Sequence, residues 1–364
     1  MKSLAILRSV YFTIARIGCV AAILLGCALS AITVCAGEKD GRLDIYWIDT
    51  EGGAATLIVT PQGESVLIDT GNPGRRDPGR ITQAAAEAAG IKQIDHLIIT
   101  HYHGDHFGGA ATLATMIPIK NLYDNGLFDG MPNQPDKSYL ELKCDKRTVI
   151  NAGDSIELNQ GDKEPRLNLL CLGTRQQFIE PDKLHAKENP EIFKLHTPKD
   201  RDGSDNANSV VMLLSFGDFR FFDAGDLTWN QELKLVHPYD LVGNVDVYQV
   251  THHGLDSSNN PVVLQTLKPT VAVMNNGHEK GCMPEVFANL SETKSLQAIY
   301  QVHKNLRPDG SKNNVPDEFI ANHNAADDCD GHYIKLSIDP SAKTYTIEIP
   351  ANKHAKTYEV TEKE

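Results

Sequence analysis

Four residues within a span of six carry the most conspicuous chemistry of this chain: His101, His103, Asp105 and His106, in the order H-Y-H-G-D-H. Three imidazoles and one carboxylate delivered together are the N and O donors that a borderline cation such as zinc accepts. A strand-to-loop junction also leaves coordination positions open for water or substrate. The apolar run ahead of them, His96-Leu-Ile-Ile-Thr100, predicts a buried strand that ends at the first of these histidines. Chance readily supplies one or two histidines in a solvated turn, but not ligands at alternating and then adjacent positions at a strand end.

A metal site draws its ligands from several elements, and three other predicted strands end in suitable residues. Ser65-Val-Leu-Ile-Asp69-Thr-Gly71 ends in a carboxylate placed to orient a metal-binding histidine through its second ring nitrogen. The plainer reading of Asp69 is a turn residue accepting backbone N–H groups. Phe219-Arg-Phe-Phe-Asp223-Ala-Gly-Asp226 offers Asp226 as a bridge between two cations, with Asp223 as the competing candidate. Val247-Tyr-Gln-Val-Thr-His252-His253-Gly254 supplies a histidine pair.

The order carboxylate, histidine cluster, carboxylate, histidine pair resembles the metallo-β-lactamase fold superfamily, whose H-x-H-x-D-H signature is matched by His101, His103, Asp105 and His106. The resemblance covers about residues 43–280. Within the superfamily the chain is most similar to the ComEC-type competence-protein branch, through Leu67-Ile-Asp69-Thr-Gly71, Asn206-Ala-Asn-Ser209-Val-Val and His252-His253-Gly254. Asp49-Thr-Glu-Gly-Gly53 departs from that branch's opening.

The resemblance implies an α/β fold, a four-layer αββα sandwich with metals at the open edge between two sheets. It implies two divalent ions, Zn2+ or alternatively Mn2+. His101 and His103 would hold the first, Asp105 and His106 the second, with Asp226 as bridge and one of His252 or His253 completing the second. A third histidine for the first metal, usual just before the Ser209 strand, is missing; Asp205, Asn206 and His196 are the candidates to replace it.

The expected activity is hydrolysis of an ester, phosphodiester or amide-type bond. Two cations about 3.5–4 Å apart would share a hydroxide whose pKa they lower to roughly neutral. Asp105 would double as a general base, so Asp105 and Asp69 are the expected catalytic residues. The alternative is a non-catalytic metal-binding protein on the same fold. A redox protein holding iron here would need a second electron-carrying domain, and the sequence has no flavin or iron–sulfur motif.

The 364 residues suffice for one large domain or two modest ones. Lys2, Arg8 and Arg16 precede an uncharged apolar run from Ile17, which ends at Val34-Cys-Ala36. This pattern predicts a secretory signal peptide over residues 1–36 and a secreted or periplasmic protein with no stable membrane insertion after cleavage. A retained membrane anchor is the alternative. The net charge of −13 includes those three cations, so the mature chain is more acidic still. Such a charge favours a small-molecule substrate and gives no support to a nucleic-acid partner, whereas the ComEC-type resemblance implies phosphoester or nucleic-acid-related substrates. Outside the leader remain Cys144, Cys171, Cys282 and Cys329, enough for two disulfides, with Cys282–Cys329 the preferred pair.

The hydrolase domain is expected over about residues 43–350. Strands are predicted at Leu43–Ile48, Ala54–Thr60 and Ser65–Asp69, then a helix from Ile81 stopped by Gly90, and a further helix from about Phe107 to Met116. A loop-rich insert follows at about 120–205, whose part from Gln176 to Asp205 is read either as a lid over the metals or as a surface insert. Strand–helix alternation then resumes, closing with a helix at 285–305 and a hairpin of Tyr333–Ile338 and Thr344–Ile349. His278 and Lys280 follow a strand in the sense of the ligand strands, placed to meet an anionic substrate group.

Overall fold

The computed structural model describes residues 40–161, 164–325 and 328–363, so the predicted signal peptide lies outside the described residues. Two nine-stranded mixed sheets form the frame. In the first, Leu43–Trp47, Thr56–Val59 and Ser65–Ile68 form an antiparallel meander. Ile94–Ile98, Ile119–Asp124 and Lys146–Val149 then add in parallel. In the second sheet, Leu167–Thr174, Val211–Phe216 and Phe219–Asp223 are antiparallel. Val247–Gln249, Val271–Met274, Ala298–His303 and Ile320–Asn322 continue it in parallel.

Three separate apolar clusters define the layering. One lies between the sheets and joins Ile45, Trp47, Ile58 and Val66 of the first to Leu169, Met212, Leu214, Phe221 and Val247 of the second. A second cluster covers the outer face of the first sheet with Ile81, Ala85, Ala110 and Leu113 from helical segments. The third covers the outer face of the second sheet with Leu235, Val262, Leu264, Val286 and Leu290. Since each apolar face must be buried against another element, three such interfaces make four layers, helix–sheet–sheet–helix. The expected αββα sandwich is the architecture observed.

Parallel strands place their carboxyl ends along one edge, where open α/β sheets bind ligands. Ser65–Ile68 and Ile94–Ile98 run parallel, so Asp69 and Thr100–His106 emerge side by side. Phe219–Asp223 and Val247–Gln249 do the same in the facing sheet and bring Asp226 beside His252. The Val210 N–H donates to the Thr100 carbonyl at 2.9 Å, stitching the two sheets together at this edge.

Several expectations are corrected. The helix predicted at 285–305 stops after Pro284–Glu292, and Ala298–His303 is a parallel strand buried on both faces, which erases the alternation that would mark it. The supposed insert at 120–205 contributes strands to both sheets, Ile119–Asp124 among them. Within its later part Lys187–Glu188 pairs with Tyr239–Asp240 of the second half, and Asn206 reaches His252 at the site edge. The first helix begins earlier, at Arg76, and passes into a wider π-turn at Ala84–Ala88. The terminal hairpin forms as expected but gains a third strand, His354–Glu359, so the sheet runs beyond 350. Among the described residues all four cysteines are free. Cys282 is buried against the Asn313 carbonyl and the Gln301 amide, whereas Cys329 faces Asp49, so the expected Cys282–Cys329 disulfide is not made. No described helix is long and apolar enough to cross a membrane.

Candidate metal centre

Asp226 is the hub. Its Oδ2 lies 3.1 Å from His106 Nε2, 3.4 Å from both His252 Nε2 and His253 Nε2, and 3.8 Å from His101 Nε2. Around it the potential ligand atoms fall into two overlapping groups, Asp105–His106–Asp226–His253 and His101–His103–Asp226. His101, His106 and His253 are fully buried, and His103 and Asp105 partly open the site to solvent.

Local backbone chemistry explains the convergence. Gly225 sits at φ +51, and a Cβ there would lie 2.9 Å from the Thr100 Cβ, so only glycine lets this turn close onto the facing loop. His252 and His253 both adopt left-handed conformations, φ +57 and +54. Two successive residues in extended backbone would point to opposite faces; here the left-handed pair turns both rings onto the same carboxylate.

Asp69 fixes the tautomer at the centre. Its Oδ2 accepts from His106 Nδ1 at 2.7 Å and from the Thr100 hydroxyl at 2.7 Å, while Oδ1 accepts from the Thr100 N–H at 2.8 Å. With the Nδ1 proton committed, Nε2 is the His106 atom left to face the Asp226 oxygen and His253 Nε2, 3.1 Å away, and is the one that would turn its lone pair to a metal. His101 Nε2 and His103 Nδ1 likewise face each other at 3.1 Å. Ring nitrogens this close in a buried site share either a hydrogen or a metal ion. Burial alone would lower the affinity of His106 for a proton, but Asp226, Asp105 and Asp69 outweigh it and hold its pKa well above the ordinary value. His101 goes the other way, pushed well below by burial and by His106. Asp226 is held well below the carboxylate range despite burial, by His106, His252 and His253. The donor set and the facing lone pairs therefore fit divalent cations.

The remaining candidates are placed as follows. Asp205 accepts from the Tyr102 N–H at 2.7 Å and from Asn208, holding the signature loop from behind. His196 bonds Asn260, away from the centre. Neither joins the groups of potential ligand atoms gathered around Asp226. Asn206 does reach the site, with Nδ2 3.2 Å from His252 Nε2. Asp223 is buried behind the centre, accepts from the Gly225 N–H, and is pushed up to about 7 by burial and by Asp69. Asp69 touches a histidine and not the open side, so it is a positioning residue rather than a catalytic one. Asp105 is contacted by Lys280 and lies 3.2 Å from His253 Nε2. Burial favours its protonation, yet His106, His253 and Lys280 hold it far below the usual carboxylate range. Lys280 thus sits at the mouth as expected, but His278 turns away toward Glu51. The contact invisible in the sequence is Lys280 on Asp105, which joins residues 175 apart.

Comparison with known proteins agrees with this geometry. The profile of the Metallo-beta-lactamase superfamily matches residues 48–174. Similar curated proteins include a UPF0173 metal-dependent hydrolase of Cupriavidus metallidurans, 38% identical over 86 residues, 22% of this chain and 26% of that protein. ComE operon protein 3 of Bacillus subtilis is 26% identical over 256 residues, 66% of this chain and 29% of that protein. A ribonuclease Z of Methanopyrus kandleri is 28% identical over 154 residues, 40% of this chain and 50% of that protein. The chain spans under a third of the length of the first two of these relatives. With the signature loop, the four layers and the strand-end donors in place, residues 48–174 match the metallo-β-lactamase superfamily, and the chain is similar to its competence-protein and metal-dependent hydrolase members.

Proposed function

We propose that this protein is a metal-dependent hydrolase, acting outside the cytoplasm on an ester, phosphodiester or amide-type bond, with one hydrolase domain beginning near residue 43. The observation that carries the reading is Asp226 Oδ2, set within 3.1–3.8 Å of four imidazole nitrogens that reach it from both sheets. His101, His103 and Asp226 would hold one divalent cation, and Asp105, His106, Asp226 and His253 a second. His252 reaches the same bridging oxygen. Zinc suits these N and O donors, with manganese the alternative. When bound, such cations supply Lewis acidity and bring the pKa of a water from 15.7 toward about 7.

The protein's own part is orientation and charge. Asp69 fixes His106, Ser257 and Ser258 hold His252 Nδ1 at 2.9 and 3.2 Å, and buried walls exclude bulk water. Lys280 places an ammonium at the mouth, suited to an anionic leaving group or phosphoryl oxygen. Relatives named as metal-dependent hydrolases and as a ribonuclease Z support the reaction class; the acidic net charge favours small substrates over polynucleotides.

The test is elemental analysis of the purified protein, followed by a panel of ester, lactam and phosphodiester chromogens. Close to two metal equivalents are expected, with turnover lost on chelation and restored by Zn2+ or Mn2+. A metal-loaded protein inert toward every chromogen would establish the non-catalytic binding alternative, and a protein that takes up neither ion would end the reading.

A further inference from the structure

A second group of mixed donors lies apart from Asp226. Asp49 follows the first strand, Glu51 stands two residues on, His303 ends the Ala298–His303 strand, and Cys329 belongs to the loop before Ile334–Ile338. One donor atom from each lies within 4.8 Å of all the others. His303 Nε2 is 2.6 Å from Asp49 Oδ1 and 3.3 Å from Glu51 Oε2. Cys329 Sγ is 3.2 Å from Asp49 Oδ2 and 3.9 Å from His303 Nε2. Asp49 and His303 are fully buried, and the Glu51 side chain is only 4% exposed.

Hydrogen bonding does not satisfy this group. His303 Nε2 carries at most one proton but faces two carboxylates, and Asp49 takes it. Glu51 Oε2 is left buried without a hydrogen-bond partner, as is His303 Nδ1. Arg80 Nη1 reaches Asp49 Oδ2 at 2.6 Å and Glu51 Oε1 at 3.2 Å and compensates one of the two negative charges, while His278 Nδ1 faces Glu51 Oε2 at 3.4 Å without a hydrogen bond. With the imidazole neutral and the thiol proton released, one divalent cation balances the charge: two carboxylates and a thiolate against the guanidinium and the ion. A tetrahedral zinc with ordinary bond lengths needs its donors roughly 3.3–3.7 Å apart. The His303–Glu51 and His303–Cys329 distances lie within about 0.2 Å of that range; Asp49 meets His303 through Oδ1 and Cys329 through Oδ2, and the short Oδ1 contact is the hydrogen bond that the ion would open.

We infer that Asp49, Glu51, His303 and Cys329 form a separate, four-ligand structural site for a borderline divalent cation of the zinc class. Thiolate and imidazole exclude Mg2+ and Ca2+ as occupants. The site pins the loop 49–53 between the two sheets, and that loop buttresses the catalytic edge: the Ala54 N–H donates to the Asp105 carbonyl at 3.1 Å. A Cβ on Gly53 would come within 2.6 Å of the same oxygen.

The thiolate makes this site separable from the Asp226 centre, whose donors are nitrogen and oxygen alone. Cobalt(II) added to the metal-free full-length protein should give a thiolate-to-cobalt charge-transfer band in the near ultraviolet. Cys329→Ser should abolish that band and bind one zinc equivalent fewer, while retaining the d–d absorption of cobalt at the histidine-rich centre and the wild-type circular dichroism. A His303→Gln variant should lose the same band. Absence of the band in the wild-type protein, or its persistence in Cys329→Ser, would overturn the inference whatever the metal content of the Asp226 centre.

Discussion

Replacing Asp69 by Asn changes one atom in the most constrained position of the site. The carboxylate accepts three hydrogen bonds, at 2.7 Å from His106 Nδ1, 2.7 Å from Thr100 Oγ1 and 2.8 Å from Thr100 N. If the new amide nitrogen takes the place of Oδ2, it donates toward His106 Nδ1, which must then surrender its proton. That proton moves to Nε2, the atom facing Asp226 and His253, and removes the lone pair a metal would use. If the amide flips, its N–H₂ meets the Thr100 N–H instead, leaving buried donors unsatisfied at about 1–3 kcal/mol. Partners of this kind typically set 10–100-fold in metal affinity, or about 1.4–2.8 kcal/mol. Competition titration of zinc against a chromophoric chelator should show that loss for Asp69→Asn, with far-UV circular dichroism unchanged. Wild-type affinity in a folded Asp69→Asn protein would refute the tautomer argument.

Asp226→Ala should lower occupancy at both metal groups, read as metal equivalents after dialysis; loss at only one would show that Asp226 does not bridge. Gly225→Ala forces a left-handed alanine against Thr100 and should cost at least about 1–3 kcal/mol in urea denaturation. Glu232 is buried and its pKa is pushed up to about 7 by that burial, against the Asn260 and Asn259 N–H groups that oppose the shift. A raised carboxylate contributes stability fully below its unfolded pKa of about 4.5 and loses it as pH climbs through 7. Glu232→Gln should therefore gain on the wild type by about 3 kcal/mol between pH 5 and 8.5, in chemical denaturation across that range; parallel pH profiles would contradict this.

The signature loop and its strand-end partners were legible because each is local: a short apolar run, then ligands. The strands that carry them were likewise readable, apart from shifts of a residue or two. Ala298–His303 was not, since both its faces are covered and its pattern does not distinguish strand from helix. Ile119–Asp124 was hidden because Lys120 and Asn121 interrupt its apolar run. The Asp49–His303 contact joins residues 254 apart, and nothing near His303 in sequence marks it as different from the other scattered histidines. Cys329 was misread for the same reason: composition suggested a sulfur partner, whereas the fold gives it a carboxylate and an imidazole.

The left-handed pair His252–His253 has a consequence for how this protein tolerates change. A non-glycine residue held at positive φ stores on the order of 1–3 kcal/mol, and two in succession take that from a total stability of about 5–15 kcal/mol. Glycine would relieve the tension at either position while deleting a ring from Asp226. Selection for thermal robustness alone would therefore drift toward a dismantled site, and any screen for hardier variants of this chain must count bound metal alongside melting temperature.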